Sequence, residues 1–149
     1  MGVGKTKVGR LLARTLGRPF LDGDRQIEKI TGRTGREIAA TDGVPALHAL
    51  ELSVLLHALE DTSDAVVAAA ASVVDRPAGR NAIGEATCIW IDRTPDQSSG
   101  PGEEHRRDIA PDEDLERRRP VFEDLADLVL SGPGGPADYV DRAVAFLHK

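Results

Sequence analysis

The chain is poor in cysteine and aromatics: one Cys, one Trp, one Tyr and three Phe among 149 residues. A single thiol forbids an internal disulfide. Cys88 lies in the apolar run Cys88-Ile89-Trp90-Ile91 with no basic neighbour to lower its pKa, so a buried strand thiol is expected in place of a reactive one. Aromatics make up 3% of the chain and apolar residues 40%, so the core must be built from Ala, Leu and Val. No apolar run approaches the roughly 20 residues of a membrane span, and no charged segment followed by an apolar stretch opens the chain. The expectation is a cytoplasmic protein with no membrane partner. Basic residues are also in deficit, 19 against 25 acidic ones, giving a formal net charge of −6. That balance, with the acids scattered, argues against nucleic-acid binding and requires any anionic metabolite to find a local basic pocket.

Chemistry begins at the first residues. Met1-Gly2-Val3-Gly4-Lys5-Thr6 reads as the second half of the phosphate-binding motif G-x-x-x-x-G-K-[ST]. Gly2, Val3 and Gly4 would close backbone N–H groups on phosphate oxygens, with Lys7 beside them. Lys5 would reach the terminal phosphates, and the Thr6 hydroxyl would ligate Mg²⁺. A glycine-rich tail ahead of an amphipathic helix would give the same short match. The motif's leading Gly, and the strand that delivers it, would fall upstream of Met1, and a start codon further upstream is expected.

Lys7 to Leu16 carry Val8, Leu11, Leu12 and Leu16 on one helical face and stop at Gly17. Pro19 to Asp22 is a short strand, followed by helical stretches from Asp24 to Ile30 and from Arg36 to Ala40. A longer helix opens at Gly43-Val44-Pro45 and carries Leu47, Leu50, Val54, Leu55 and Leu59. The runs Ala65 to Ala69, Thr87 to Ile91 and Asp127 to Leu130 lack two-residue alternation, as strands buried on both faces of a parallel sheet do. Helical segments follow at Arg80 to Glu85, Asp112 to Ala126 and Asp138 to His148. The alternation predicts a three-layer α/β/α fold in one domain spanning residues 1–149. Gln97 to Glu104 has loop composition.

The order Gly4-Lys5-Thr6, Phe20-Leu21-Asp22-Gly23-Asp24, Ile27-Glu28, Thr31-Gly32-Arg33 and Asp42-Gly43, with Leu50-Glu51 further on, resembles the shikimate kinase family of P-loop phosphotransferases. The resemblance implies a P-loop kinase fold with a parallel sheet whose first, central strand is missing from this chain. It implies ATP and Mg²⁺ as cofactors, and γ-phosphate transfer to the 3-hydroxyl of shikimate, a step of aromatic amino-acid biosynthesis. A helix of about 12 residues spans roughly 18 Å and the next strand retraces it, so Asp22 and Asp24 would face Lys5 and Thr6. By the resemblance, Asp22 supports the metal and Asp24 orients or deprotonates the acceptor hydroxyl. Asp24 also suits the N-cap of the next helix.

Arg118 in Arg118-Arg119-Pro120-Val121-Phe122 matches the segment whose Arg binds the acceptor carboxylate, a task suited to a planar guanidinium. Arg117, Arg118 and Arg119 also suit a solvated basic run on a helix face. The lid of the family would fall at about residues 97–111, with Arg106 closing over the phosphates and Arg107 as second choice; a plain charged loop fits as well. Two positions depart from the family at the acceptor site. His48 stands where a second carboxylate-binding Arg is found, and Ala69-Ala70-Ala71, followed by Ser72, replaces three glycines. His48 cannot form a bidentate pair, and the alanines add Cβ atoms to the wall that meets the ligand. The alanine run equally suits a strand entering a helix. The expected protein is a monomeric kinase acting on shikimate; the departures leave room for another small hydroxylated acid, such as a sugar acid, or for a nucleotide-binding protein without turnover.

Overall fold

The computed structural model describes residues 5–61, 64–92 and 112–148, the side chains of 112–115 excepted. Helix α1 (Lys5–Leu16) leads to β1 (Phe20–Asp22), α2 (Gly23–Thr31), α3 (Gly35–Asp42) and α4 (Val44–Asp61). Then come β2 (Val66–Ala68), a 3₁₀ turn (Ala71–Asp75), α5 (Pro77–Gly84), β3 (Ile89–Asp92), α6 (Asp112–Leu125), β4 (Leu128–Ser131) and α7 (Pro136–Leu147).

Local chemistry sets most of these boundaries. Gly17 and Gly32 take left-handed conformations after α1 and α2, with φ of 67° and 73°, which end a helix without Cβ strain. Asp22 caps α2 by accepting the Asp24 N–H at 3.0 Å, and the Thr34 hydroxyl caps α3 by accepting the Glu37 N–H at 3.2 Å. The N-cap is therefore Asp22, not Asp24. Pro77 and Pro136 occupy first-turn positions of α5 and α7, where a missing N–H costs nothing. Helix α5 accordingly starts three residues before the expected Arg80. The segment after β2 forms a 3₁₀ turn and not the start of an α-helix.

The strands pair in parallel, β1 with β2 in the register Phe20 to Val66 and β3 with β4 in the register Ile89 to Leu128. Successive strand residues point to opposite faces, and the packing follows. Trp90 joins Leu52, Leu55, Val73, Ile83 and Phe122, under α4, α5 and α6. Its neighbour Ile91 joins Val8, Leu12, Leu130, Tyr139 and Ala143, under α1 and α7. Val67 and Val66 divide between the same two clusters. Two helical layers thus enclose a parallel layer, as the unalternated apolar runs require. A third cluster, Ile27, Ile38, Leu47 and Val54, ties α2 and α3 to α4.

Among the described residues the parallel layer falls into two halves, β1–β2 and β3–β4. Between β2 and β3 lies a cavity of about 680 Å³. Val66 to Ala68 and Ile89 and Ile91 border it along the two strands, while Val8 and Leu12 of α1 and Leu55 of α4 close it from the helical layers. This is the place of the central strand expected to be missing, bounded by unpaired strand edges and apolar side chains.

Candidate active site

The C-terminal end of β1 returns to the N-terminus of α1, and chemistry gathers there. The Thr6 hydroxyl donates to Oδ2 of Asp22 at 3.3 Å, while Oδ1 of the same carboxylate holds the Asp24 N–H. Asp22 is only 7% exposed, so its orientation is fixed by two donors in a buried setting. Lys5 is buried as well, and its Nζ donates to the Ala69 carbonyl at 3.1 Å, across from the end of β2. The helix dipole adds positive potential where these groups meet. Lys7 points into solvent on the outer side of α1.

Asp24 is exposed at the first turn of α2 and borders a small cavity shared with Glu51, Ala69 and Ala70. The cavity holds about 10 Å³, room for about one water-sized sphere. The alanines adopt ordinary backbone: Ala70 has φ −69° and ψ 149°, and no described non-glycine residue has positive φ. Their cost is therefore in volume and not in strain. Ala71 opens the 3₁₀ turn and packs on the Trp90 cluster, away from this cavity. His48 is half-buried on α4, one turn before Glu51, and is not among the described residues that border the cavity.

Sequence assigns no role to Ser72 or to Glu51, although Leu50-Glu51 belongs to the family match, and the structure joins the two. The Ser72 hydroxyl donates to Oε1 of Glu51 at 2.9 Å across 21 residues of sequence. Burial pushes the Glu51 carboxyl above its ordinary range, and the Ser72 hydrogen bond and the Lys5 and Arg118 charges offset this only in part.

Arg118 is buried, with 3% of its side chain exposed, and is held by Asp75 at the end of the 3₁₀ turn. Its Nε and Nη2 donate to Oδ1 and Oδ2 at 3.0 and 2.8 Å. Arg117 reaches the same carboxylate at 3.5 Å from a largely exposed position. Burial raises the Asp75 pKa, but the Arg118 hydrogen bonds and the Arg118 and Arg117 charges outweigh it and leave the group below its ordinary range. Arg119 donates to Asp92 at 2.8 Å and lies over the Trp90 ring. The three arginines thus have three separate settings, which corrects the picture of a uniform solvated run.

Cys88 is half-buried just before β3, which starts at Ile89 and not at the expected Thr87, so the thiol lies at the strand's edge and not inside it; burial still pushes its pKa up. Gly2, Val3, Gly4, Arg106, Arg107 and the expected lid lie outside the described residues. Among the described residues no cluster of three or more His, Cys, Asp or Glu could hold a metal, and no helix is long and apolar enough to cross a membrane.

A parallel sheet between helical layers, with a Lys-Thr pair at a helix N-terminus and the carboxylate of the next strand against it, is the arrangement of the P-loop class of folds. The family model described as Shikimate kinase matches residues 1–147, and the chain belongs to the shikimate kinase family. It is 40% identical over 114 residues to a shikimate kinase of Symbiobacterium thermophilum, covering 73% of this chain and 64% of that protein. A Corynebacterium efficiens shikimate kinase is 32% identical over 139 residues, 84% of this chain and 78% of the relative. With Synechococcus elongatus the match takes in 48% of the relative, so the chain spans about half to two thirds of several relatives it matches. Among solved structures, shikimate kinase from Aquifex aeolicus superposes with a TM-score of 0.80 at 24% identity, covering 97% of this chain and 90% of that one. The Acinetobacter baumannii enzyme in complex with shikimate gives 0.76 at 23%, covering 97% and 87%. These superpositions establish the shared fold.

Proposed function

We propose that this chain transfers the γ-phosphate of ATP to the 3-hydroxyl of shikimate. The observation that carries the reading is the Thr6–Asp22 hydrogen bond at the N-terminus of α1, which pairs the P-loop hydroxyl with the carboxylate of the D-x-D segment. Family membership supplies the acceptor.

Oxygen donors from one hydroxyl and one carboxylate suit Mg²⁺, which commonly takes one or two protein ligands and completes its shell with phosphate and water. Thr6 and Asp22 would hold it, and it would neutralise charge on the β- and γ-phosphates. Gly2, Val3 and Gly4 offer backbone N–H groups to the phosphates, with Lys7 alongside. Lys5 leaves the Ala69 carbonyl on its flexible stem to meet a phosphate oxygen. Asp24 orients the acceptor hydroxyl and receives its proton as the oxygen attacks the γ-phosphorus, while the bond to the bridging oxygen breaks and ADP departs. Arg106 covers the transferred group. Arg118 pairs with the acceptor carboxylate, and Ala69, Ala70, Ala71 and His48 shape the surrounding wall. The Asp24 cavity, at about 10 Å³, is too small for a six-membered ring, so acceptor binding must displace one of its walls. We read the chain as one domain working as a cytoplasmic monomer.

The test is ADP release from Mg-ATP with and without shikimate. Strong stimulation by shikimate is expected, falling about 100-fold or more in Asp24→Asn. Nucleotide binding without acceptor-dependent turnover would overturn the reading.

A further inference from the structure

Arg118 carries five N–H donors in one plane. Two of its nitrogens, Nε and Nη2, form a side-on pair with Asp75. Nη1 takes no partner among the described residues, although the side chain is almost wholly buried. A buried cationic donor without an acceptor is costly, and its persistence marks a place where a ligand completes the bonding. Arg118 and Arg117 both reach the Asp75 carboxylate. The Arg118 charge also acts on Glu51, in the wall of the cavity bordered by Asp24, Ala69 and Ala70.

We propose that Asp75 is a positioning residue for acceptor recognition: it holds the Nε–Nη2 edge of Arg118 so that the Nη1 end of the fork meets the carboxylate of the incoming acid. Asp75 is well placed for this. It ends the 3₁₀ turn, and α5 begins two residues later with Gly79 pressed against the Val73 backbone, so the carboxylate stands on a packed support. Arg118 would otherwise sample several rotamers, and the side-on pair removes that freedom before the acceptor arrives. The inference rests on the kinase reading above.

The test compares the parent protein with Asp75→Asn, which keeps the shape and removes the charge, using shikimate and its methyl ester as acceptors. For shikimate, KM is expected to rise about tenfold in the variant, with kcat within about twofold and KM for ATP unchanged. For the ester, which lacks the carboxylate charge, parent and variant are expected to have the same KM. An unchanged or lower KM for shikimate in the variant overturns the inference, because Asp75 is then idle or competes for Arg118. Equal losses for acid and ester also overturn it, because the role is then structural. Should Asp75→Asn not fold, Asp75→Glu retains the charge and displaces the fork, and the same acid-selective rise in KM is expected. A parent protein with no shikimate-stimulated ADP release overturns the kinase reading itself, and the Asp75 role falls with it.

Discussion

Two carboxyl groups in this protein, Asp75 and Glu51, answer pH in opposite directions. Asp75 sits below its ordinary range because its two arginines outweigh burial. Its contribution is present above the unfolded pKa, about 4, and is lost as pH falls through the depressed folded value. Glu51 sits above its ordinary range, chiefly through burial. As pH rises from below about 4, the unfolded chain releases this proton first, so stability falls until the raised folded value is passed and stays reduced at neutral pH. Glu51→Gln removes the ionisation while its amide oxygen still accepts the Ser72 hydroxyl. At pH 7 the variant is expected to melt above the parent, the gap closing below about pH 4. Thermal melts across that range decide it, and a variant that melts no higher at pH 7 contradicts the burial argument.

The 3₁₀ turn and α5 form a unit whose fit depends on one missing methyl group. A Cβ on Gly79 would overlap the Val73 carbonyl oxygen and come within 3.2 Å of Leu52 Cδ1. Helix propensity alone would favour alanine in α5 by about 1 kcal/mol. Overpacking against backbone works the other way and costs about 1–3 kcal/mol. Gly79→Ala is therefore expected to be destabilising, read as a lower denaturant midpoint at unchanged slope. Because the turn carries both Ser72 and Asp75, its displacement should also raise KM for the acceptor. A more stable Gly79→Ala protein would show that the turn yields readily.

The two half-sheets leave the largest packing question in the molecule. Backbone groups on the facing edges of β2 and β3 have no strand partner among the described residues, and apolar side chains border the 680 Å³ cavity between them. Unpaired strand edges and exposed apolar walls both favour an inserted strand. A chain extended ahead of Met1 by five β-branched apolar residues is expected to melt well above the parent, and its Val66, Val67 and Ala68 amides to gain hydrogen-exchange protection. The same extension carrying a central proline should give neither effect. Equal stability for both extensions would show that the cavity does not accept a strand.

Short-range order was open to reading without coordinates. The helix after Gly4-Lys5-Thr6, the return strand to Asp22 and the unalternated apolar runs follow from periodicity, caps and chain reach, and so does the meeting of Thr6 with Asp22, 16 residues apart. The family resemblance rested on short segments between Gly4 and Glu51, which the structure spreads over α1, β1, α2, α3 and α4. What could not be read was pairing between distant elements. Arg118 and Asp75 are 43 residues apart, and Ser72 and Glu51 are 21 apart; neither pair has a local signal, because each is made only when the 3₁₀ turn packs between α4 and α6. The three adjacent arginines look alike in sequence, yet packing buries one, leaves one in solvent and lays one over Trp90. Composition and periodicity chose the layers; burial, which depends on every element at once, chose which charged side chains face each other.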